Sequence, residues 1–521
     1  MKNLLAPRYF VFIFFLSFLL LGLNIYKDYG VHWDEYNNQN LGHNWRVYIL
    51  DVLHNHSIAN TPLPKTEPYP MDLVHGSIIE VSLGFIKNFL KLEDLREILF
   101  LRHLCCFLIF LIGVFFFYLL CNKFFKNWKV ALLGCLFLIL SPRVFAHSFY
   151  DTFDISFLSF YILSLYTLIL WFEQKTFLNA GLHALACAIL VDIRLIGLTM
   201  VLLTCSFYLI DVFKKDKTAP LRQLFFYICV LILGIFMFWP ILWHNPLSSF
   251  IKIWHETLNH SFPFSFLYLG QFYLGPDLPW HYAPVWILIT TPLLYCFLFL
   301  IGCYVAIQTL SNTGPFHQKK NMALIVLSFL LPLILTQGKI CNGWRHIFFI
   351  YPSFLILSLV GLLALWKILK NKFQGIIRFW LLSFTVLAIS LDLSYTTYVM
   401  VSLHPFESIY FNRLAGKDMQ QIKSRFELDF WGLAYRQALE YLLTTDSDKI
   451  ITIATIDRWP LIRNNLNILN PADKQRFLEV PLSEAKYFLT NYLQHPGEYP
   501  LPKYASIKIG NAEILGIYKL K

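Results

Sequence analysis

The chain has 521 residues, of which 57% are hydrophobic, 18% aromatic and only 14% charged. Soluble globular proteins carry about 25% charged residues, so the composition excludes a disordered chain, a fibrous repeat and a small disulfide scaffold, and it points to a membrane protein. Lys and Arg number 43 against 32 Asp and Glu, a net charge of +11, and in a membrane protein the placement of that charge counts for more than its sum.

Apolar runs predict eleven spans, at 9–27, 99–120, 130–142, 152–171, 180–191, 195–212, 223–240, 284–306, 322–337, 347–366 and 379–397. The first run has a basic start and no small-residue cleavage site after it, which predicts a retained span rather than a removed signal peptide. Lys2, Arg8, Lys123, Lys126, Lys129, Lys214, Lys215, Lys217, Arg222, Lys319, Lys320, Lys367, Lys370, Lys372 and Arg378 all fall on one side of this arrangement. The excess of cations marks that side as cytoplasmic. The N-terminus is expected on that side. The ten cysteines lie at or before Cys341, mostly inside apolar runs, and form no CxxC pair. They read as small packing residues.

The expected organisation is a transmembrane domain over 1–397, with exterior loops 28–98 and 241–283, followed by an exterior α/β or α+β domain over 398–521. The loops mix Trp, Tyr, Pro and His with short apolar stretches, as interfacial helices do. In the last part, FWGLAYRQALEYLLT predicts a helix, KIITIATI a strand, and YASIKIGNAEILGIYKL two strands around an Asn-Ala turn.

Several polar clusters interrupt this apolar chain. Directly after the first span stands GVHWDEYNNQ, with His32, Asp34 and Glu35. Adjacent side chains do not share a helix face, so the two carboxylates have different roles. One in low dielectric suits general-base work, and ordinary helix capping is the alternative. His75 and the aromatic loop around His255, His260 and Tyr268 are further contributors to a cleft open to the outer leaflet. In SPRVFAHSFYDTFD, His147, Asp151 and Asp154 fall at i, i+4 and i+7, one stripe of a helix. The spacing permits a metal site, an active-site network without metal, or purely structural bonding. No metal is firmly predicted.

Asp192 and Arg194 interrupt 180–212 and each requires a partner. In GKICNGWRH, Lys339, Arg345 and His346 gather positive charge on the exterior side, where something negative must compensate. A lipid-linked phosphate or pyrophosphate is one such group, and headgroup anchoring is the alternative. Arg102 and His103 are weaker candidates for the same anion. In the last part, Asp429, Trp431 and Tyr435 read either as site residues or as a capped helix start with a packed aromatic.

Taken together, the Asp34-Glu35 pair, the polar break at 141–154 and the basic Gly343–His346 stretch resemble the integral-membrane GT-C glycosyltransferases. The likeness is to the protein O-mannosyltransferase group (glycosyltransferase family 39-like) and to bacterial enzymes that move sugars from polyprenyl phosphate. It covers residues 9–397. HPFESIYFNRLAG at 404–416, followed by DFWG at 429–432, looks like the exterior region of related bacterial proteins.

The resemblance implies sugar transfer outside the cytoplasm from a polyprenyl-phosphate-linked donor to a lipid (such as lipid A), glycan or protein acceptor, usually with inversion and without nucleotide cleavage. It gives Asp34, with Glu35 beside it, the catalytic role. His32, His75, His147, Asp151, Asp154 and Asp192 would position sugar or acceptor. Arg102, Arg194, Lys339, Arg345 and His346 would bind the lipid phosphate, with a divalent cation at His147, Asp151 and Asp154 as an option. The family's His-Pro-Pro-like element has only the partial counterpart His75-Gly76, and no cytoplasmic Asp-x-Asp is present. The location that the resemblance implies is the bacterial cytoplasmic (inner) membrane. Membrane lipid is an expected partner and nucleic acid is not. The alternatives are a lipid-linked glycan ligase or polymerase, and a transporter or lipid flippase.

Overall fold

The computed structural model describes residues 2–55, 57–58, 61–64, 75–214, 220–259, 264–336, 339–340, 342–456, 460–493 and 495–521. Lys215, Lys217, His260, Gly338 and Cys341 lie outside the described residues.

Helix α1 (Lys2–Ile25) leads into a stretch that carries α2 (Glu35–Asn55) and α3 (Ile78–Phe89). A helical bundle follows: α4 (Leu95–Phe125), α5 (Trp128–Ile139), α6 (Pro142–Tyr150), α7 (Thr152–Glu173), α8 (Phe177–Ile193), α9 (Leu198–Phe213) and α10 (Leu221–Phe238). Polar residues set the starts. Asp94, Asn127 and Thr176 accept hydrogen bonds from the backbone N–H groups of Arg96, Lys129 and Asn179, capping α4, α5 and α8. The stretch after α10 forms α11 (Pro246–Asn259) and a hairpin of β1 (Ser265–Tyr268) and β2 (Gln271–Leu274). Then come α12 (Tyr282–Thr290), α13 (Leu293–Ser311), α14 (Phe316–Leu335), a 3₁₀ segment Arg345–Ile350, α15 (Tyr351–Lys372) and α16 (Gly375–Leu403).

Among the described residues nine helices are long and apolar enough to cross a membrane, and the α5–α6 pair, bent by 71°, raises the number to at most ten. The chain is a multi-pass membrane protein. The expected eleven spans are corrected at α5 and α8, which have 12 and 17 residues. At 1.5 Å per residue they reach about 18 and 26 Å, short of the ~30 Å hydrocarbon layer. Ala131, Cys135 and Leu138 of α5 and Ala184, Cys187 and Val191 of α8 are buried against neighbouring helices, while Leu178, Leu182 and Leu185 leave one face of α8 exposed. A helix shielded by protein need not match the lipid thickness. The span expected at 284–306 is also divided, because Pro292 ends α12 and starts α13.

Two opposite ends of the bundle are marked by ion pairs. At one end Lys123 meets Glu173 at 2.6 Å, and Asp211 takes both Lys175 (3.1 Å) and Lys320 (2.6 Å). At the other end lie Asp151, Asp154, Arg194 and Arg345, described below. Helices α13 and α15 pack closely because glycines face each other's backbone. A Cβ at Gly302 would collide with the Leu357 carbonyl, and one at Gly361 with that of Leu298. Gly302→Val is therefore expected to destabilise the protein by about 1–3 kcal/mol, read as a lowered melting temperature of the detergent-solubilised protein.

The last part is a small α/β domain with α17 (Met419–Lys423), α18 (Tyr435–Thr445), α19 (Leu461–Leu466) and α20 (Pro471–Lys474) around a five-stranded sheet. The strands are β3 (Ile451–Ala454), β4 (Phe477–Glu479), β5 (Tyr487–Thr490), β6 (Lys503–Ile509) and β7 (Ala512–Lys519), in the order β4-β3-β5-β7-β6. β3 runs parallel to β4 and β5, while β7 is antiparallel to β5 and β6. The expected helix and three expected strands are present. The β6–β7 turn lies one residue earlier than expected, at Gly510-Asn511, because Gly510 adopts φ +55° and Ala512 already pairs with Ile509. The β1–β2 hairpin docks on this domain, with the Gly270 N–H donating to the Arg425 carbonyl at 3.1 Å.

Candidate functional site

The chain leaves the C-terminal end of α1 and turns through Val31-His32-Trp33 before α2 begins. The Asp34 backbone N–H donates to His32 Nδ1 at 3.1 Å. His32 is therefore a neutral ring with its proton on Nε2. Burial lowers its pKa well below the ordinary value, and nearby Arg345 and His147 add to that effect. Trp431 stacks on the ring at 4.1 Å and Tyr150 lies beyond it at 5.8 Å. His32 Nε2 has no hydrogen-bond partner among the described residues.

Asp34 and Glu35 diverge, as side chains of adjacent residues do. Glu35 is fully buried. It accepts from the His32 backbone N–H at 3.0 Å and meets His103 Nε2 at 3.2 Å, and the other His103 nitrogen faces the Tyr26 carbonyl at 3.2 Å. This pair fastens the loop to α4. Asp34 keeps 26% of its side chain exposed and meets Arg345 Nη2 at 3.2 Å. Burial pushes its pKa up to about 6, with Asp151 adding to the rise and Arg345 opposing it.

Arg345 is the hub. Its guanidinium reaches Asp34 (3.2 Å), Asp151 (3.6 Å) and Asp154 (3.0 Å) and lies 4.0 Å over the Trp431 ring. The negative charge that Arg345 required is thus supplied by the protein's own carboxylates. Asp154 also takes Arg194 at 2.6 Å. Asp151 is both the C-cap of α6 and the N-cap of α7, where it accepts from the Asp154 backbone N–H at 3.1 Å. Burial would raise the Asp151 carboxyl, but the hydrogen bond from His147 (2.9 Å) and the charge of Arg345 hold it well below the ordinary range.

The stripe expected at 147–154 is therefore not one continuous helix. The chain bends at Asp151, and the bend brings the same three residues around Arg345.

The option of a divalent cation at His147, Asp151 and Asp154 does not fit this geometry. Asp151 is committed to His147, two arginines neutralise Asp154, and no group of three or more His, Cys, Asp or Glu side chains among the described residues is arranged to hold a metal.

The remaining expected site residues divide. Trp431 joins the cluster. Arg194 pairs with the β-bridge residue His75, whose ring rests 4.9 Å from Phe153, and reaches the His346 carbonyl at 3.4 Å. Asp192 is fully buried and accepts from the Ile78 backbone N–H at 3.1 Å, starting α3. Arg102 is committed to Glu80 by two hydrogen bonds, of 2.7 and 3.1 Å. The Lys339 side chain forms no hydrogen bond or ion pair among the described residues. Asp429 accepts from the Leu433 and Ala434 backbone N–H groups at 3.0 and 2.9 Å, and burial raises it to about 6. Tyr435 is buried in the last domain, 3.3 Å from the Thr455 hydroxyl. These two hold the turn that presents Trp431.

Residues that the sequence reading did not single out complete the scaffold. Buried Asn465 accepts from the Val31 backbone N–H at 2.9 Å and donates to the carbonyls of Gly432 (3.1 Å) and Val31 (3.3 Å), while Asn464 donates to the Trp33 carbonyl at 3.1 Å. Nothing in the local sequence RNNL distinguishes these amides from surface asparagines. Asn465→Ala leaves the Val31 N–H without a partner, which costs about 1–3 kcal/mol. The expected readouts are a lower melting temperature and faster proteolytic cutting in the loop 28–34.

No protein-family model and no curated protein sequence matches the chain. Among solved structures, ArnT from Cupriavidus metallidurans in the apo state matches over 98% of this chain and 98% of its own, with a TM-score of 0.52 at 9% identity. The structure of that protein bound to undecaprenyl phosphate matches over the same shares, with a TM-score of 0.51 at 11% identity. The Archaeoglobus fulgidus oligosaccharyltransferase in the apo form matches over 92% of this chain and 69% of its own, with a TM-score of 0.48 at 10% identity. The fold is of the GT-C type. Within this GT-C fold, the acidic cluster stands where α1, the α6–α7 bend, the end of α8 and the 3₁₀ segment before α15 converge, with the last domain closing over it through Trp431.

Proposed function

We propose that this protein transfers a sugar from a polyprenyl-phosphate-linked donor to an acceptor hydroxyl of a lipid, cell-surface glycan or protein. The reaction would take place at the exoplasmic face of the membrane. The observation that carries the reading is Asp34: a partly exposed carboxylate at the bundle end, raised to about 6 and oriented by Arg345. A base with that pKa is largely ionised at neutral pH and retains proton affinity. The undecaprenyl phosphate bound by the fold relative supplies the donor class, and the positive-inside rule supports the sidedness. Lys123, Lys126, Lys129, Lys214, Arg222, Lys319 and Lys320 flank the ends of helices opposite Asp34.

In this reaction Asp34 accepts the proton of the acceptor hydroxyl as its oxygen attacks the anomeric carbon. The bond from that carbon to the phosphate oxygen breaks, and polyprenyl phosphate leaves with the electron pair. Arg194 and Arg345, the cations held beside Asp154 and Asp34, would stabilise the charge that develops on the leaving phosphate. His32 Nε2–H is a free buried donor for a sugar or acceptor oxygen. Glu35 acts as a positioning residue through His103, not as the base.

The test is comparative mass spectrometry of lipids, glycans and proteins from membranes with and without the gene, followed by transfer from a purified polyprenyl-phosphate sugar. Loss of one sugar residue, restored by the wild-type protein and not by Asp34→Asn, supports the reading. Loss of a whole glycan chain would point to a ligase or polymerase. Altered lipid distribution with every sugar in place would point to a transporter or flippase.

A further inference from the structure

A second polar feature lies outside the Asp34 cluster. A cleft of about 230 Å³ opens between α2, α3 and the start of α4. Its walls carry His43 and Arg46 from α2, Glu80 and Lys87 from α3, and Arg102 from α4. Three permanent cations thus face one carboxylate, and that carboxylate is already spent: Glu80 accepts two bonds from Arg102 and one from the Thr152 hydroxyl at 2.5 Å.

Arg46 is only 9% exposed, yet neither it nor Lys87 has a hydrogen-bond or ion-pair partner among the described residues. Arg102 Nε is buried and likewise without a partner. Burying a guanidinium without a counterion is costly, and no carboxylate among the described residues neutralises Arg46 or Lys87. His43 registers that charge. Burial lowers its pKa, and Arg46 and Lys87 lower it further.

The surroundings indicate what supplies the anion. α2 exposes Val47, Leu50 and Leu53, and α3 exposes Phe85, Ile86 and Phe89, the last at 85%. Helices with such apolar surface at a bundle end lie in the membrane interface, which sets the cleft at headgroup depth. Forked guanidinium donors and a mobile ammonium match tetrahedral phosphate oxygens.

We infer that the cleft between α2, α3 and α4 is a binding site for a phosphate group, presented by a lipid headgroup and held by Arg46 and Lys87 with Arg102 Nε. No residue of the Asp34 cluster lines this cleft, so the site is separate from the proposed reaction centre and does not depend on the sugar-transfer reading.

The experiment uses the full-length protein, delipidated in a nonionic detergent, with phosphatidylglycerol, diacylglycerol of the same chains and inorganic phosphate as probes. Binding is followed by native mass spectrometry and by the melting temperature. The expected result is saturable binding of phosphatidylglycerol that is weakened at least tenfold in Arg46→Gln/Lys87→Gln and largely kept in Arg46→Lys, with no matching binding of diacylglycerol. Arg46→Lys guards against a loss of binding through misfolding. Displacement of the lipid by inorganic phosphate would identify the free anion as a sufficient ligand, and lack of displacement would assign the site to a lipid-borne phosphate. Equal phosphatidylglycerol binding by wild type and the double variant, or equal binding of diacylglycerol, would overturn the inference.

Discussion

Replacing Asp34 by Asn is expected to lower sugar transfer by about 100- to 10,000-fold, the range associated with losing a positioned general base, while the protein still inserts and folds. Arg345 keeps Asp154 at 3.0 Å and Asp151 at 3.6 Å in the variant, so the cluster is not dismantled. The sign of the stability change follows from the pKa. A carboxyl raised from 3.8 to about 6 on folding binds its proton more tightly in the folded than in the unfolded chain. Its ionisation therefore costs folded-state stability, with the cost growing above pH 3.8 and complete above about pH 6. A neutral amide avoids that cost, so the melting temperature at pH 7.5 should be unchanged or higher. The same pKa fixes the pH profile. Transfer by the wild type should rise as pH increases through about 6 and then level, and the residual rate of Asp34→Asn should lack that limb. Rates measured from pH 5 to 8 with saturating donor test both points. An Asp34→Asn enzyme with wild-type turnover would remove Asp34 from the mechanism.

Arg345→Met is expected to have the largest effect on the fold itself. The side chain is 7% exposed and contacts three carboxylates and the face of Trp431. Removing one partner from a buried ionic network leaves uncompensated charge and typically costs about 3–5 kcal/mol. Part of the network survives, because His147 still serves Asp151 and Arg194 still serves Asp154. Arg345→Lys should fall between the two, since one ammonium cannot reproduce the planar fork that reaches several oxygens at once. The pH profile separates structure from function. Arg345 lowers the Asp34 pKa against the rise caused by burial, so the acid limb of any remaining Arg345→Met activity should move to higher pH, whereas Arg345→Lys should keep it near the wild-type position. Thermal melts in detergent and pH–rate profiles of both variants supply the measurements.

The helical bundle was legible in the sequence because lipid imposes a strong rule: long apolar runs must satisfy their own backbone as helices. The rule failed where protein replaced lipid as the surroundings. α5 is short and largely enclosed by neighbours, α8 is short and packs only one face against them, and Pro292 divides a run that hydropathy alone makes continuous. The strands Phe477–Glu479 and Tyr487–Thr490 of the last domain were missed because they are short and acquire their partners only through β3, which is distant in the chain.

At the candidate site, residue type in the wrong dielectric was the useful signal. Asp34, Asp151, Asp154, Arg194 and Arg345 stood out as charges in apolar company, and they meet. Which cation serves which anion was not readable. Arg102 goes to Glu80 and Arg345 goes to three acids because the α6–α7 bend and the 3₁₀ segment set directions that spacing does not encode. The roles of Asn464 and Asn465 were invisible for the same reason, since an amide acquires meaning only from the carbonyl or N–H placed against it.

The grip of Asn465 on Val31 and the seat of Trp431 on His32 and Arg345 have a consequence for biosynthesis. The loop bearing Asp34 emerges near the beginning of synthesis, but Arg345 lies 311 residues later, and Asn465 later still. A nascent chain that has exposed Asp34 on the membrane surface has not yet made the groups that orient it. The surroundings of Asp34 are therefore completed only after the last domain has been made and has folded back onto the first loop.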